Sequence, residues 1–177
     1  MAYSKRADLF EHDRQLNLAV QDYEKAIVTI YPRHRDTIST NTMLLLAQNM
    51  LALADIYIYF ADSRDTPHID RQKAKSYTLE SIELLKTIED TVDAEVNLTL
   101  SYAYQSLAFI VNVDAYKSKE NLRIALKYAY LAEADKSAPV ISDLLQYLGL
   151  LSHKEVHALS GASNLAQHIS TTETYYQ

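Results

Sequence analysis

MLLLAQNMLALADIYIYFA, from Met43 to Ala61, is the longest apolar run in the chain. A membrane span wants about 20 predominantly apolar residues, and this run is broken by Gln48, Asn49 and Asp55. It reads as a helix of about Ile38 to Asp62 that is apolar on nearly every side, so other helices must surround it. No membrane partner is expected.

Working outward from that run, composition sets the fold class. Only 2 Gly and 3 Pro against 48% hydrophobic residues leave little turn chemistry for strands and hairpins, which helices scarcely need. The expectation is all-α. A chain of 177 residues is long enough for one core and too short to need two, so residues 1–169 are read as a single domain and the polar residues 170–177 as a flexible tail. There is no Cys, which removes disulfides, thiolate catalysis and Cys-ligated zinc. The opening MAYSKRADLFEHDRQ has no apolar stretch behind its charges and is not a signal peptide. A cytoplasmic location is expected.

Periodicity supplies the partners for the apolar run. Leu16, Val20, Tyr23, Ile27 and Ile30 recur at helical spacing, and Tyr31-Pro32 stops that helix. Residues 1–12 keep no sustained period and are expected to be frayed or loosely docked. Ile69 to Ile88 turns Ala74, Tyr77, Ser81, Leu84, Leu85 and Ile88 inward. The acidic stretch Glu89 to Asp93 suits the positive N-terminus of the next helix, Ala94 to Ala115. That helix is broadly apolar, with Leu98, Tyr102, Phe109 and Val113 widening its main stripe, and is predicted to be a second central element. Ser118 to Asp135 buries Leu122, Ala125, Leu126, Ala129 and Ala132; Ser137-Ala138-Pro139 opens a helix to Leu151; His153 to Ile169 closes the domain. The resulting architecture is an up-and-down antiparallel helical bundle of about six to seven helices.

Catalytic chemistry finds little support. His153 and His157 stand at i and i+4, a usable metal-ligand pair, but Glu155 is misplaced for a metalloprotease base and a solvated His pair explains them. Two Gly cannot build a phosphate loop, and there is no G-x-S-x-G elbow. Glu80, Glu83, Glu89 and Asp90 fall on the wet side of their helix and turn. The chain is therefore read as a non-enzyme without cofactor or metal.

Two basic features remain in a chain of net charge −6 and pI near 5.5, an acidity that opposes broad wrapping by nucleic acid but not a local basic face. Arg33, His34 and Arg35 follow the helix stop at Pro32. Lys119, Arg123 and Lys127 lie at i, i+4 and i+8, with Lys117 just before and Tyr116 and Tyr130 nearby. Such a stripe can track phosphates while rings stack on bases. Its ordinary explanation is a salt-bridged solvent face.

YEKAIVTIYPRHRDTI, Tyr23 to Ile38, resembles the first helix and loop of the Avd-like four-helix-bundle proteins: an aromatic-Pro pair, basic residues, then a Thr-Ile start to the second helix. LLQYLGLLSHKEVHALSGASNLAQHI, Leu144 to Ile169, resembles their closing portion. That family includes the accessory proteins of diversity-generating retroelements and their relatives encoded within ribosomal RNA genes. The resemblance implies a bundle that assembles as a ring-shaped homo-oligomer and supports a reverse transcriptase and its template RNA. It also implies a nucleic-acid-contacting role for Arg33, His34 and Arg35. This chain differs from the family in its acidity and in Ala162-Ser163-Asn164, where an Ile-Gly-basic signature is usual.

A second reading is an adaptor built like a tetratricopeptide-like helical-hairpin array, capturing a protein partner or peptide in a groove. Tyr23, Tyr77 and Tyr128 begin similar helices at separations of 54 and 51 residues, whereas that repeat has a period of about 34.

Overall fold

The computed structural model describes residues 2–12, 15–30, 39–63, 67–88, 93–110, 115–132 and 134–149. Among them are seven helices and no strand: α1 (Ala2–His12), α2 (Leu16–Ile30), α3 (Thr40–Ser63), α4 (Pro67–Lys86), α5 (Ala94–Ile110), α6 (Ala115–Leu131) and α7 (Ala134–Tyr147). The all-α helical bundle expected from composition is the fold. The basic group Arg33-His34-Arg35, the helix expected over His153 to Ile169 with its His pair, and the tail all lie outside the described residues.

Local chemistry sets the helix ends. Ser39 caps α3, its carbonyl and Oγ both accepting from the Thr42 N–H, as an N-cap hydroxyl does. Asp93 does the same for α5 through a 2.8 Å bond from the Glu95 N–H, so the acidic turn delivers both a cap and a favourable charge. Gly149, with φ of 73°, follows α7 in the left-handed region where a side chain would be strained.

Of the boundaries that differ from the sequence expectation, three are instructive. Residues 2–12 are helical and docked, because Arg6 forms a two-pronged ion pair with buried Asp22, Asp8 accepts from Tyr23 at 2.7 Å, and Ala7 is fully covered. The charges that hid the period are the contacts that hold α1. Ala115 belongs to α6 rather than to α5, which ends at Ile110. Finally, α7 starts at Ala134, so Pro139 sits inside the helix instead of opening it.

Side-chain contacts give the helix directions. Between α3 and α4, Asp62 meets Arg71, Tyr57 meets Lys73, and the Ala47 carbonyl accepts from Ser81, so the two run antiparallel. Between α5 and α6, Ser118 donates to the Ala108 carbonyl and Asn97 to the Leu131 carbonyl, again antiparallel. Each helix packs chiefly on its neighbours in sequence, most closely in the pairs α3–α4 and α5–α6. The non-consecutive pair with appreciable contact is α3 with α5.

Two buried clusters follow from this packing. One joins α1 and α2 to α3 from Leu46 to Phe60, with Ala74 of α4 and Ile110 of α5 at its border, around Tyr23, Met50, Leu53 and Phe60; the other joins Leu44, Ala47 and Leu51 of α3 to α4, α5, α6 and α7 around Leu85, Leu100, Leu126 and Leu144. The helix α3 has the length and apolarity of a membrane span, yet most of it is covered by other helices. It is not surrounded on every side, however, and neither is α5. Tyr59 on α3 is 59% exposed, and Tyr102 and Phe109 on α5 are 47% and 41% exposed. The expectation that other helices surround α3 is thus corrected, and the second central helix, α5, is likewise partly exposed: among the described residues, helices packed mainly on sequence neighbours leave Tyr59, Tyr102 and Phe109 uncovered.

Candidate binding surfaces

The basic stripe lies on α6, whose inner side is fixed by Leu122, Ala125, Leu126, Tyr128 and Ala129. With those positions inward, helical periodicity sends Lys117, Lys119, Arg123 and Lys127 outward, and all four are exposed. Lys119 to Lys127 extends about 12 Å along the axis at the helical rise. Arg123 is met by Glu120 at 3.5 Å, so one carboxylate interrupts the stripe. Tyr116 is 77% exposed beside it, whereas Tyr130 is half-buried against the core and offers no open ring.

A feature the sequence reading missed lies at the side of this stripe. Tyr104 of α5 and Tyr128 of α6 stack at 5.8 Å, and Lys86 and Lys127 each hold an ammonium near one ring of that pair, at 5.8 and 5.7 Å. Lys86 closes α4, where a cation is favoured by the helix dipole. Its place near the Tyr104 ring depends on how α4 meets α5, which no local pattern records.

The second surface is the open edge between α3 and α5. Gln48 donates to Glu95 at 3.2 Å and Ser106 donates to Asp55 at 3.3 Å. Advancing along α3 therefore means advancing along α5: the helices are parallel, with α4 behind them. Between the two bridges lies a cleft of about 360 Å³ floored by Leu51, Ala52, Leu98 and Tyr102, at the lower end of the size range of ligand pockets. Beyond it, Phe109 meets Tyr147 of α7 edge-on at 5.1 Å. A line of partly exposed apolar side chains thus runs from Leu98 through Tyr102 to Phe109 and Tyr147.

Charge separates the surfaces as clearly as shape does. The only charged residues of α3 are Asp55 and Asp62, that of α5 is Glu95, and neither helix contains Lys, Arg or His. Asp62 is engaged by Arg71 at 3.2 Å, and the carboxylates that line the cleft are Asp55, which accepts from Ser106, and Glu95, which accepts from Gln48. Among the described residues no cluster of His, Asp and Glu is arranged to hold a metal ion. Comparison of the chain with protein-family models, with curated proteins and with solved structures finds no match.

Proposed function

We propose that this chain is a non-enzymatic binding subunit that holds a segment of a protein partner in the cleft between α3 and α5. The observation that carries this reading is the parallel setting of the two helices, which leaves Tyr102 half-covered over a cleft floored by Leu51, Ala52 and Leu98, with Phe109 exposed beyond the Ser106–Asp55 bridge. Apolar surface of this kind is a binding surface when it is contiguous, whereas isolated exposed apolar residues are ordinary. A groove beside parallel helices accepts the ridge of a further helix. Random short segments displayed on phage and selected on the wild-type chain should yield binders that Tyr102→Ala weakens. Binders that hold Tyr102→Ala equally well, or no binders at all, would sink this reading.

A second reading, support of a reverse transcriptase or a structured RNA, has its own observation in the exposed α6 stripe with Tyr116 at its end. Arg33, His34 and Arg35 would join it if the Avd-like resemblance extends to function, and the same resemblance would make the assembly a ring of copies. Retention of a hairpin RNA at low salt tests it directly. Charge reversal of Arg123 and Lys127 should then reduce that retention and flatten its salt dependence.

A further inference from the structure

We infer that residues 153–169 of this chain dock as a helix in the groove between α3 and α5, antiparallel to α5, and compete there with any segment of a partner. The inference takes the cleft as a helix-accepting groove, as the proposed function does, and adds the competitor that regulates access to it.

The place where the chain leaves α7 gives the first ground. Tyr147, the last residue of α7, meets Phe109 edge-on at 5.1 Å, and Phe109 is one residue from the end of α5. Both rings are open there, at 52% and 41% exposure. Gly149, in the left-handed region, then turns the chain off the α7 axis. Leu150, Leu151 and Ser152 are all that separate it from position 153, and connections this short join antiparallel neighbours. A helix begun there starts at the C-terminal end of α5 and runs back along it.

Pattern and length give the second. Ala158, Leu159, Ala162, Leu165, Ala166 and Ile169 recur at helical spacing, with His157, Asn164 and His168 on the other side. Ala158 to Ile169 spans eleven residues, as does Leu98 to Phe109 on α5, and eleven residues of helix advance about 16 Å. Run antiparallel, Ala158 falls at Phe109, Leu165 at Tyr102 and Ile169 at Leu98. The three Ala, four residues apart, leave room for the Tyr102 and Phe109 rings, so large side chains meet small ones across the contact.

The same residues keep the contact weak enough to be displaced. Gly161 costs a helix about 1 kcal/mol relative to Ala, and a helix of this length is marginal without a surface to pack on. Burial in the groove must offset both before any net docking remains.

The chain has no Cys, so a single introduced thiol reports one place in the full-length protein. Tyr102→Cys should react with a water-soluble maleimide about fivefold faster once Leu165→Asp and Ile169→Asp are added, the loss of protection expected for a weakly docked segment. Val28→Cys, on the open face of α2 at 78% exposure, should react at one rate in both backgrounds, which checks that the rest of the fold is intact. His157→Asp with His168→Asp, on the polar side of the segment, should leave the Tyr102→Cys thiol slow. A segment selected on the wild-type chain by phage display should bind the Leu165→Asp/Ile169→Asp variant more tightly by the same factor, because apparent affinity scales with the fraction of open cleft. Equal Tyr102→Cys rates in the two backgrounds would overturn the inference, while the proposed function would stand on any selected segment that Tyr102→Ala weakens. Protection with no selected binder would have the opposite meaning: the intramolecular contact holds and the partner reading falls. Protection that fades as the protein is diluted would place a second copy's segment in the groove and overturn the contact within one chain.

Discussion

The α6 face and the α3–α5 cleft are both exposed, and they are made in different ways. The α6 stripe is a property of one helix: once Leu122, Ala125, Leu126 and Ala129 turn inward, Lys119, Arg123 and Lys127 must turn outward. The cleft belongs to no single element. It exists because α3 and α5 run parallel on the same side of α4, each with an apolar surface wider than its neighbours cover. A surface of the first kind survives changes in packing, and one of the second kind does not.

The largest expected effect separates two tyrosines of one helix. Tyr104 is 8% exposed and stacks on Tyr128, while Tyr102, two residues earlier, lies half-open over the cleft. Tyr104→Ala should cost about 3 kcal/mol in urea unfolding, the range for truncating a buried aromatic. Tyr102→Ala should stay within about 0.5 kcal/mol, as surface substitutions do. Equal destabilisation would mean that Tyr102 is a structural residue and would remove the principal lining of the proposed cleft.

That pair also marks the limit of what the sequence discloses. Helical spacing correctly separates the inner positions of α6 from the basic ones, because a narrow apolar stripe has only one way to face a core. On α3 and α5 the apolar surface is broader than a stripe, and period alone cannot say which part of it neighbours cover. Tyr102 and Tyr104 are the same residue type on the same helix, and only the position of α6 tells them apart. The absence of Lys, Arg and His from both α3 and α5 is legible in the sequence and is the one advance sign of an acidic cleft. The docking of α1 is hidden for another reason: Arg6 and Asp8 look like solvent residues until Asp22 and Tyr23 are brought beside them.

That α1–α2 clamp lies on neither surface and gives an intermediate effect that checks how far each depends on the whole fold. The Arg6 guanidinium, bonded to the carboxylate, holds Asp22 below the usual carboxylate range. A group whose folded pKa is depressed contributes stability above its unfolded value of about 3.9 and loses it as pH falls through the lower folded value. The contribution should therefore be complete at neutral pH and disappear only below about pH 4. Asp22→Asn should lower the thermal midpoint by a few degrees at pH 7, and the difference from wild type should narrow in acid. A gap that stayed constant down to full protonation would show that the carboxylate charge is not what holds α1. Because α1 and α2 share a buried cluster with α3 and with Ile110 of α5, and with no residue of α6, the destabilisation should reach the α3–α5 cleft before it reaches α6.

Charge reversal at Lys119, Arg123 and Lys127 tests the independence of the surfaces in the other direction. The cleft is lined by no residue of α6, so the triple variant should keep the affinity of a segment bound there within about twofold, apart from long-range electrostatic effects that salt screens. Any hairpin-RNA retention by the wild type should fall severalfold, and its salt slope should become shallower by about one unit for each phosphate that the variant no longer neutralises. Weakened binding at both sites together would make the two faces parts of one interface.

The smallest effect concerns the one acidic residue in the stripe. Glu120 and Arg123 are 3.5 Å apart at i and i+3, and both side chains are about half exposed. In that setting the Coulomb gain is offset by the entropy of holding two long side chains, and a double-mutant cycle should give a coupling of about 0.3 kcal/mol. Glu120→Gln should therefore barely change stability while leaving the stripe one negative charge poorer. If the stripe serves a polyanion, the variant should bind hairpin RNA more tightly than the wild type and with a steeper salt dependence. If its cations serve only to solvate α6, neither quantity should move, and the contrast between a basic face and an acidic cleft would reduce to one working surface.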